Sequence, residues 1–214
     1  MSQLRDAAVG VRAEDLTRFL PPDGGGGRAS AVLILLGEST AGPDLLLIRR
    51  SDTVREHAGF PAFPGGSLDE QDDGAVAAAL REAAEETGLD PSGVSVQAQL
   101  PELFLASGGF VVTPVLAWWA QPSPVRVVDP GEVASVHRVG VGTLADPAHR
   151  FQVRHPSGFV GPAFAVDGLL VWGFTAGLVD RVLALGGWER PWDRGDCRDL
   201  DQADPRRGGN RGGR

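Results

Sequence analysis

Apolar and polar positions change their spacing several times along this chain, and each change marks an element. Ala31-Val32-Leu33-Ile34-Leu35-Leu36 is an unbroken apolar run, of a length that suits a strand buried on both faces. Asp44 to Arg49 follows a Gly/Pro turn and predicts its partner strand. Val94 to Leu100, Phe110 to Ala120 and Val133 to Val139 predict further strands. Trp172 to Leu185 has the apolar spacing of a helix, closed by Gly186-Gly187. A second helix ends at Gly88, with Asp72 or Asp73 expected to cap its start. On this helix Val76, Leu80, Ala83 and Thr87 are expected to face the core. Ala75, Ala78 and Ala79 are expected to continue a polar side, leaving room for a loop to approach. A short helix is predicted over Ala13 to Leu20, stopped by Pro21-Pro22, before a flexible connector at Gly24 to Gly27.

Interleaved strands and helices with no long central linker predict one α+β domain, a mixed β-sheet between helices, over residues 29–192. Residues 1–28 read as a peripheral segment. The charged, Gly-rich stretch 193–214 reads as a disordered tail. Its Arg/Gly-rich end is expected to be solvated rather than to bind RNA.

Composition narrows the partners. The 214-residue chain is 42% hydrophobic, enough for a core, and carries a net charge of −8. An acidic surface argues against general nucleic-acid binding. All twenty of its side chains of the Lys/Arg class are Arg. The single Cys197 cannot close an internal disulfide and suits a reducing compartment. No apolar run is long enough to span a bilayer. A soluble, cytoplasmic protein is expected, without membrane or specific nucleic-acid partners and compatible with a homodimer.

Candidate chemistry concentrates in Arg81-Glu82-Ala83-Ala84-Glu85-Glu86-Thr87-Gly88-Leu89. On a helix, Glu82, Glu85 and Glu86 fall within roughly a 100° arc. Like charges so placed repel by roughly 0.2–0.5 kcal/mol per pair. A divalent cation with a taste for oxygen ligands is the simplest neutraliser. Glu82 and Glu86 form the best-spaced pair, and Glu85 is either a further ligand or held by Arg81. The upstream Gly65-Gly66 lets backbone approach closely, or is simply a turn.

These residues resemble the Nudix box, G-x5-E-x7-R-E-U-x-E-E-x-G-U with U aliphatic. Here Gly66 is followed by five residues and Asp72, and eight residues separate Asp72 from Arg81. Asp thus stands where the pattern has Glu, and the spacing is one residue longer. Leu46-Leu47-Ile48-Arg49-Arg50-Ser51, then Arg55, Gly59 and Phe63-Pro64-Gly65-Gly66, resemble the signature of the coenzyme A pyrophosphatase branch. Gly109-Phe110-Val111-Val112-Thr113-Pro114-Val115 and Leu169 to Ala176 are similar to later segments of that branch. The resemblance implies Mg²⁺ or Mn²⁺ held by Glu82, Glu85, Glu86 and a carbonyl at Gly66. It implies contact of Arg50 and Arg55 with a nucleotide substrate, and an extra acid such as Glu132 as ligand or base. Ser107 and Phe110 are candidate pocket residues. The implied reaction is hydrolysis of the diphosphate of coenzyme A or acyl-CoA, with Glu82 or Glu132 taking the proton from water. Other Nudix substrates (ADP-ribose, NADH) and a Nudix ligand sensor without turnover are the alternatives. His57, His137, His149 and His155 show no metal-ligand spacing and read as structural.

Overall fold

The computed structural model describes residues 2–17, 26–54 and 56–204. Two short helices, α1 (Ser2–Ala8) and α2 (Ala13–Leu16), precede a hairpin of β1 (Arg28–Ser39) and β2 (Gly42–Arg50). Then come β3 (Pro61–Ala62), β4 (Gly65–Ser67), the helix α3 (Gly74–Thr87) and strands β5 (Val94–Gln99), β6 (Leu103–Leu105), β7 (Phe110–Trp119) and β8 (Val133–Gly140). A short α4 (Val141–Ala145) leads to β9 (Arg150–Arg154), β10 (Val160–Val166), β11 (Leu169–Val171), α5 (Gly173–Leu185), β12 (Cys197–Asp199) and α6 (Leu200–Ala203).

The larger sheet has eight strands, with β3-β2-β1-β7-β5 as its main path. β1 pairs with β7 in parallel and with β2 in antiparallel register, so the sheet is mixed. Its unbroken apolar strands follow from helices on both faces. Ala31, Leu33 and Leu35 of β1 pack with Ala78, Ala79 and Ala83 of α3. Ile34 and Leu36, pointing the other way, pack with Val179 and Leu183 of α5. This is the mixed sheet between helices that the sequence predicts. A smaller sheet, β11-β10-β9-β12, lies under α5.

Several expectations need correction. Ala75, Ala78 and Ala79 are buried in the core, while Val76 and Leu80 are only partly buried. Small side chains let α3 settle close to the sheet, so they take the inner face and the bulkier pair its flank. The N-terminal segment is not merely peripheral: Leu4, Ala8 and Leu16 are buried in the same cluster as α5. The second helix stops at Leu16, and Pro21-Pro22 lies outside the described residues. Residues 193–204 are not a disordered tail. β12 runs parallel to β9, and Leu200 is buried beside Phe151 and Val153. The Arg/Gly-rich end lies outside the described residues.

Candidate active site

α3 runs from Gly74 to a left-handed Gly88, whose N–H donates to the Ala84 carbonyl. Neither Asp72 nor Asp73 caps it as expected. Asp73 sits at the cap position without a side-chain hydrogen bond there. Asp72 is used instead to grip Arg81, accepting from Nε at 3.0 Å and Nη2 at 2.9 Å. This paired geometry is the strong form of the Arg–carboxylate contact. The shorter acid and the longer spacing thus still bring a carboxylate to Arg81. Arg81 also donates through Nη1 to Glu82 and Glu85, each at 3.0 Å, and through Nη2 to the Ser67 carbonyl.

The three glutamates therefore diverge. Glu85 remains 59% exposed and is held by Arg81, so it stands apart from the other two. Glu82 is half-buried, and burial raises its carboxyl above the ordinary range against the pull of Arg81. Glu86 is only 3% exposed. Burial pushes it up to about 8, opposed by a hydrogen bond from the Gly65 N–H at 3.0 Å and by the Arg50 charge. The charges of Glu82 and Glu132 add to this rise, and Glu132 also raises Glu82. Glu82, Glu86 and Glu132 thus share one electrostatic neighbourhood, although Glu132 comes from the loop before β8. That loop is fixed by the Ser51 N–H donating to the Glu132 carbonyl at 2.8 Å and by the Thr53 hydroxyl donating to the Gly131 carbonyl.

Gly65 and Gly66 are both required by space. A Cβ on Gly65, where φ is +154°, would fall 2.2 Å from the Ala31 carbonyl oxygen. One on Gly66 would fall 2.5 Å from the Glu82 carboxyl group. Backbone and carboxylate are therefore in direct apposition at Gly66.

A divalent cation fits this donor set. A carboxylate buried beside two others and kept partly protonated by burial is short of positive charge, and hard cations supply it to oxygen ligands. Glu82, Glu86 and the backbone at Gly66 are the groups that could hold it. Among the described residues no three acidic, His or Cys side chains already close around one point. Here Glu82 is drawn to Arg81, and Glu86 to the Gly65 N–H.

Next to the carboxylates lies a cavity of about 340 Å³, lined by Arg50, Gly65, Gly66, Ser107 and Phe110 among others. It brings together these five sequence candidates from three separate segments. The register of β2 against β8 slips between Arg49 and Arg50, an irregularity of the kind that re-aims a side chain. The Arg50 Nε is buried with no hydrogen-bond partner, an orphan donor at the edge of the acidic cluster. Phe110 lies beneath the Arg28 guanidinium, 4.1 Å from its ring centre. Arg55 lies outside the described residues.

Sequence reasoning missed the aromatic wall of this cavity: Phe60, Trp172 and Phe174. Phe60 occupies an unspecified position inside the recognised signature. Trp172 and Phe174 flank Gly173 in a segment read only as a helix start. No spacing rule ties these residues together, because the fold folds β3 back beside β11. His57 also lines the cavity, in a left-handed conformation with φ 56° and its Nε2 3.4 Å from the Ser107 carbonyl oxygen. No described helix is long and apolar enough to cross a membrane.

Residues 27–156 match the NUDIX domain family. The uncharacterized Nudix hydrolase NudL of Escherichia coli K12 is 39% identical over 165 residues, covering 74% of this chain and 82% of that protein. NudL of Shigella boydii serotype 4 matches to the same extent. Among solved structures, the Nudix hydrolase RenU from M. smegmatis is similar in fold, with a TM-score of 0.54 at 19% identity. That likeness covers 82% of this chain and 98% of the other. With its carboxylate helix, its Gly-Gly approach and these matches, the chain belongs to the Nudix family, hydrolases of nucleoside diphosphate derivatives that generally work with divalent metal ions.

Proposed function

We propose that the protein hydrolyses the diphosphate bond of coenzyme A or its thioesters, releasing 3′,5′-ADP and (acyl-)4′-phosphopantetheine. One observation carries this reading. Arg50, Gly65 and Gly66, all within the segment that resembles the coenzyme A pyrophosphatase signature, line one cavity that abuts Glu82 and the buried Glu86.

Glu82, Glu86 and the Gly66 carbonyl would hold the cation. Bound there, it would withdraw charge from the phosphoryl oxygens and make water more acidic. Arg50 offers its orphan Nε–H to a diphosphate oxygen, a donor that suits phosphate. Arg81 fixes Glu82 and, through Asp72, the loop in front of α3. Of the two acids able to take a proton from water, Glu82 already accepts a bond from Arg81, which weakens it as a base. Glu132 is exposed and faces the same cluster, so we assign the base to it. Its loop is tied by hydrogen bonds to Ser51 and Thr53, in the segment that follows Arg50. Rate then comes mainly from positioning and from charge stabilisation.

Purified protein would be incubated with Mg²⁺ or Mn²⁺ and CoA, an acyl-CoA, ADP-ribose or NADH, and products separated by chromatography. The expected result is 3′,5′-ADP from CoA, lost with a chelator. Turnover of ADP-ribose with none of CoA would refute the reading, and silence across all substrates would favour a sensor.

A further inference from the structure

We propose that the cavity receives the uncharged pantetheine half of the substrate, packed against Phe60 and Trp172, while the nucleotide half stays at the rim. This rests on the coenzyme A reading and assigns which end of that substrate the protein encloses.

The cavity has two unlike kinds of lining, which meet where the Arg50 N–H donates to the Phe60 carbonyl at 3.0 Å. Arg50, Gly65 and Gly66 are its polar and backbone part, with Gly65 bonded to Glu86 and Gly66 against Glu82. The rest is walled by Phe60, Leu105, Phe110, Val112, Trp172 and Phe174. Phe60 and Trp172 meet edge to face, 5.3 Å between centres at 88°. His155 stacks on the same indole at 5.6 Å and 13°. Trp172 is therefore held from two sides and presents a preformed surface.

Four polar side chains of the lining are committed to the protein itself. The Thr175 hydroxyl donates to the Pro61 carbonyl, and the Ser30 hydroxyl to the Val111 carbonyl. Glu56 is paired with Arg28 at 3.2 Å, and His57 meets the Ser107 carbonyl. Reading the edge of a base demands placed donors and acceptors, and sites built that way discriminate through them. These groups are not arranged to do so.

Charge points the same way. The nucleotide half of coenzyme A carries a phosphate on its ribose. Among the described residues lining the cavity, Arg50 is the one cationic side chain that is always charged, and the proposed reaction already assigns it to the diphosphate. Enclosing a further phosphate beside Glu56 and the aromatic wall would leave that charge desolvated and poorly paired, which is strongly unfavourable. The pantetheine arm has no charge. Its methyl and methylene groups gain from burial against aromatic faces. Its amide carbonyls can accept from the opening N–H groups of α5 at Gly173 to Thr175, which lack partners within a helix.

The test uses the full-length protein with Mg²⁺, comparing wild type with Phe60→Ala, Trp172→Ala and the milder Trp172→Phe. The two half-molecules, 4′-phosphopantetheine and 3′,5′-ADP, serve as competitive inhibitors. The alanine variants are expected to raise KM for CoA and Ki for 4′-phosphopantetheine by about tenfold or more, as for loss of an aromatic anchor. Trp172→Phe should raise both less, and Ki for 3′,5′-ADP should stay within about twofold, which also reports an intact fold. Equal weakening of both half-molecules in Trp172→Phe, or weakening of 3′,5′-ADP alone, would place the base in the cavity and overturn the proposal. So would a Ki for 4′-phosphopantetheine unchanged by either alanine variant. If wild type cleaves no CoA, the reaction assigned above falls by itself. Calorimetric titration of the two half-molecules into the same variants still decides the cavity's occupant.

Discussion

Replacing Glu86 by glutamine should stabilise the metal-free protein at alkaline pH while abolishing turnover. The wild-type carboxyl is 3% exposed and is pushed from an ordinary 4.5 up to about 8. Between these values the folded protein keeps a proton that the unfolded chain has released. Stability therefore falls as pH rises through this window, by about 1.4 kcal/mol per unit, while below pH 4.5 the group contributes no difference. Over the whole window the loss is on the order of 3–5 kcal/mol. Glutamine cannot ionise, and its side-chain oxygen can still accept from the Gly65 N–H. For a chain of this size about 1 kcal/mol corresponds to roughly 2–4 °C in Tm. Glu86→Gln should thus melt roughly 6–20 °C above wild type at about pH 8.5, and close to it at about pH 5. The assay is thermal melting by circular dichroism in a chelator across this pH range. Added Mn²⁺ should raise wild type far more than the variant, because the ion binds the folded state through this carboxylate. A Tm difference that is constant with pH, or negative at alkaline pH, would refute the assignment of Glu86 as a buried charge awaiting a cation.

Gly66→Ala should fold, since its new methyl group meets the movable end of Glu82. It should lose about a hundredfold or more in kcat, as for small misplacements at reacting centres; activity near wild type would show that Glu82 and Gly66 need not touch. Gly65→Ala meets backbone at 2.2 Å with φ at +154°, so a loss of at least about 2 kcal/mol in urea unfolding is expected. Arg81→Lys should lower kcat by at least about tenfold despite keeping the charge, because an ammonium cannot reproduce the two-point grip on Asp72; steady-state kinetics measure it. Arg150→Ala should cost on the order of 3–5 kcal/mol, leaving Asp180 beside a vacated space where the buried guanidinium had paired with it. Chemical denaturation reads this value, and a loss under about 1 kcal/mol would count against it.

Much of the scaffold is legible in the chain because it is a local property. The apolar run at Ala31–Leu36 is too continuous for a half-exposed strand, so two covered faces follow. Gly88 stops α3 in the sequence and in the fold, and Arg81 reaches Glu85 by helical spacing alone. The order of burial on α3 is not local. It depends on how closely the helix meets the sheet, which turns Ala75, Ala78 and Ala79 inward against a reading based on residue size. Residues 193–204 look too charged to order, yet β9 offers them an open edge and a pocket for Leu200.

For the site, the division is similar. Sequence alone placed three glutamates on one helix, two glycines before it and an arginine at the end of a strand. It could not separate Glu86 from Glu85, since adjacent carboxylates of the same chemistry differ only in what covers them. Tertiary structure made one a buried acid and the other a solvated partner of Arg81. It also brought Glu132 into range and set Phe60 against Trp172, more than a hundred residues away along the chain. Spacing along a backbone fixes which side chains can share a helix face. Only the packing of sheet against helix decides which of them lose water, and loss of water is what turns an ordinary carboxylate into a candidate ligand.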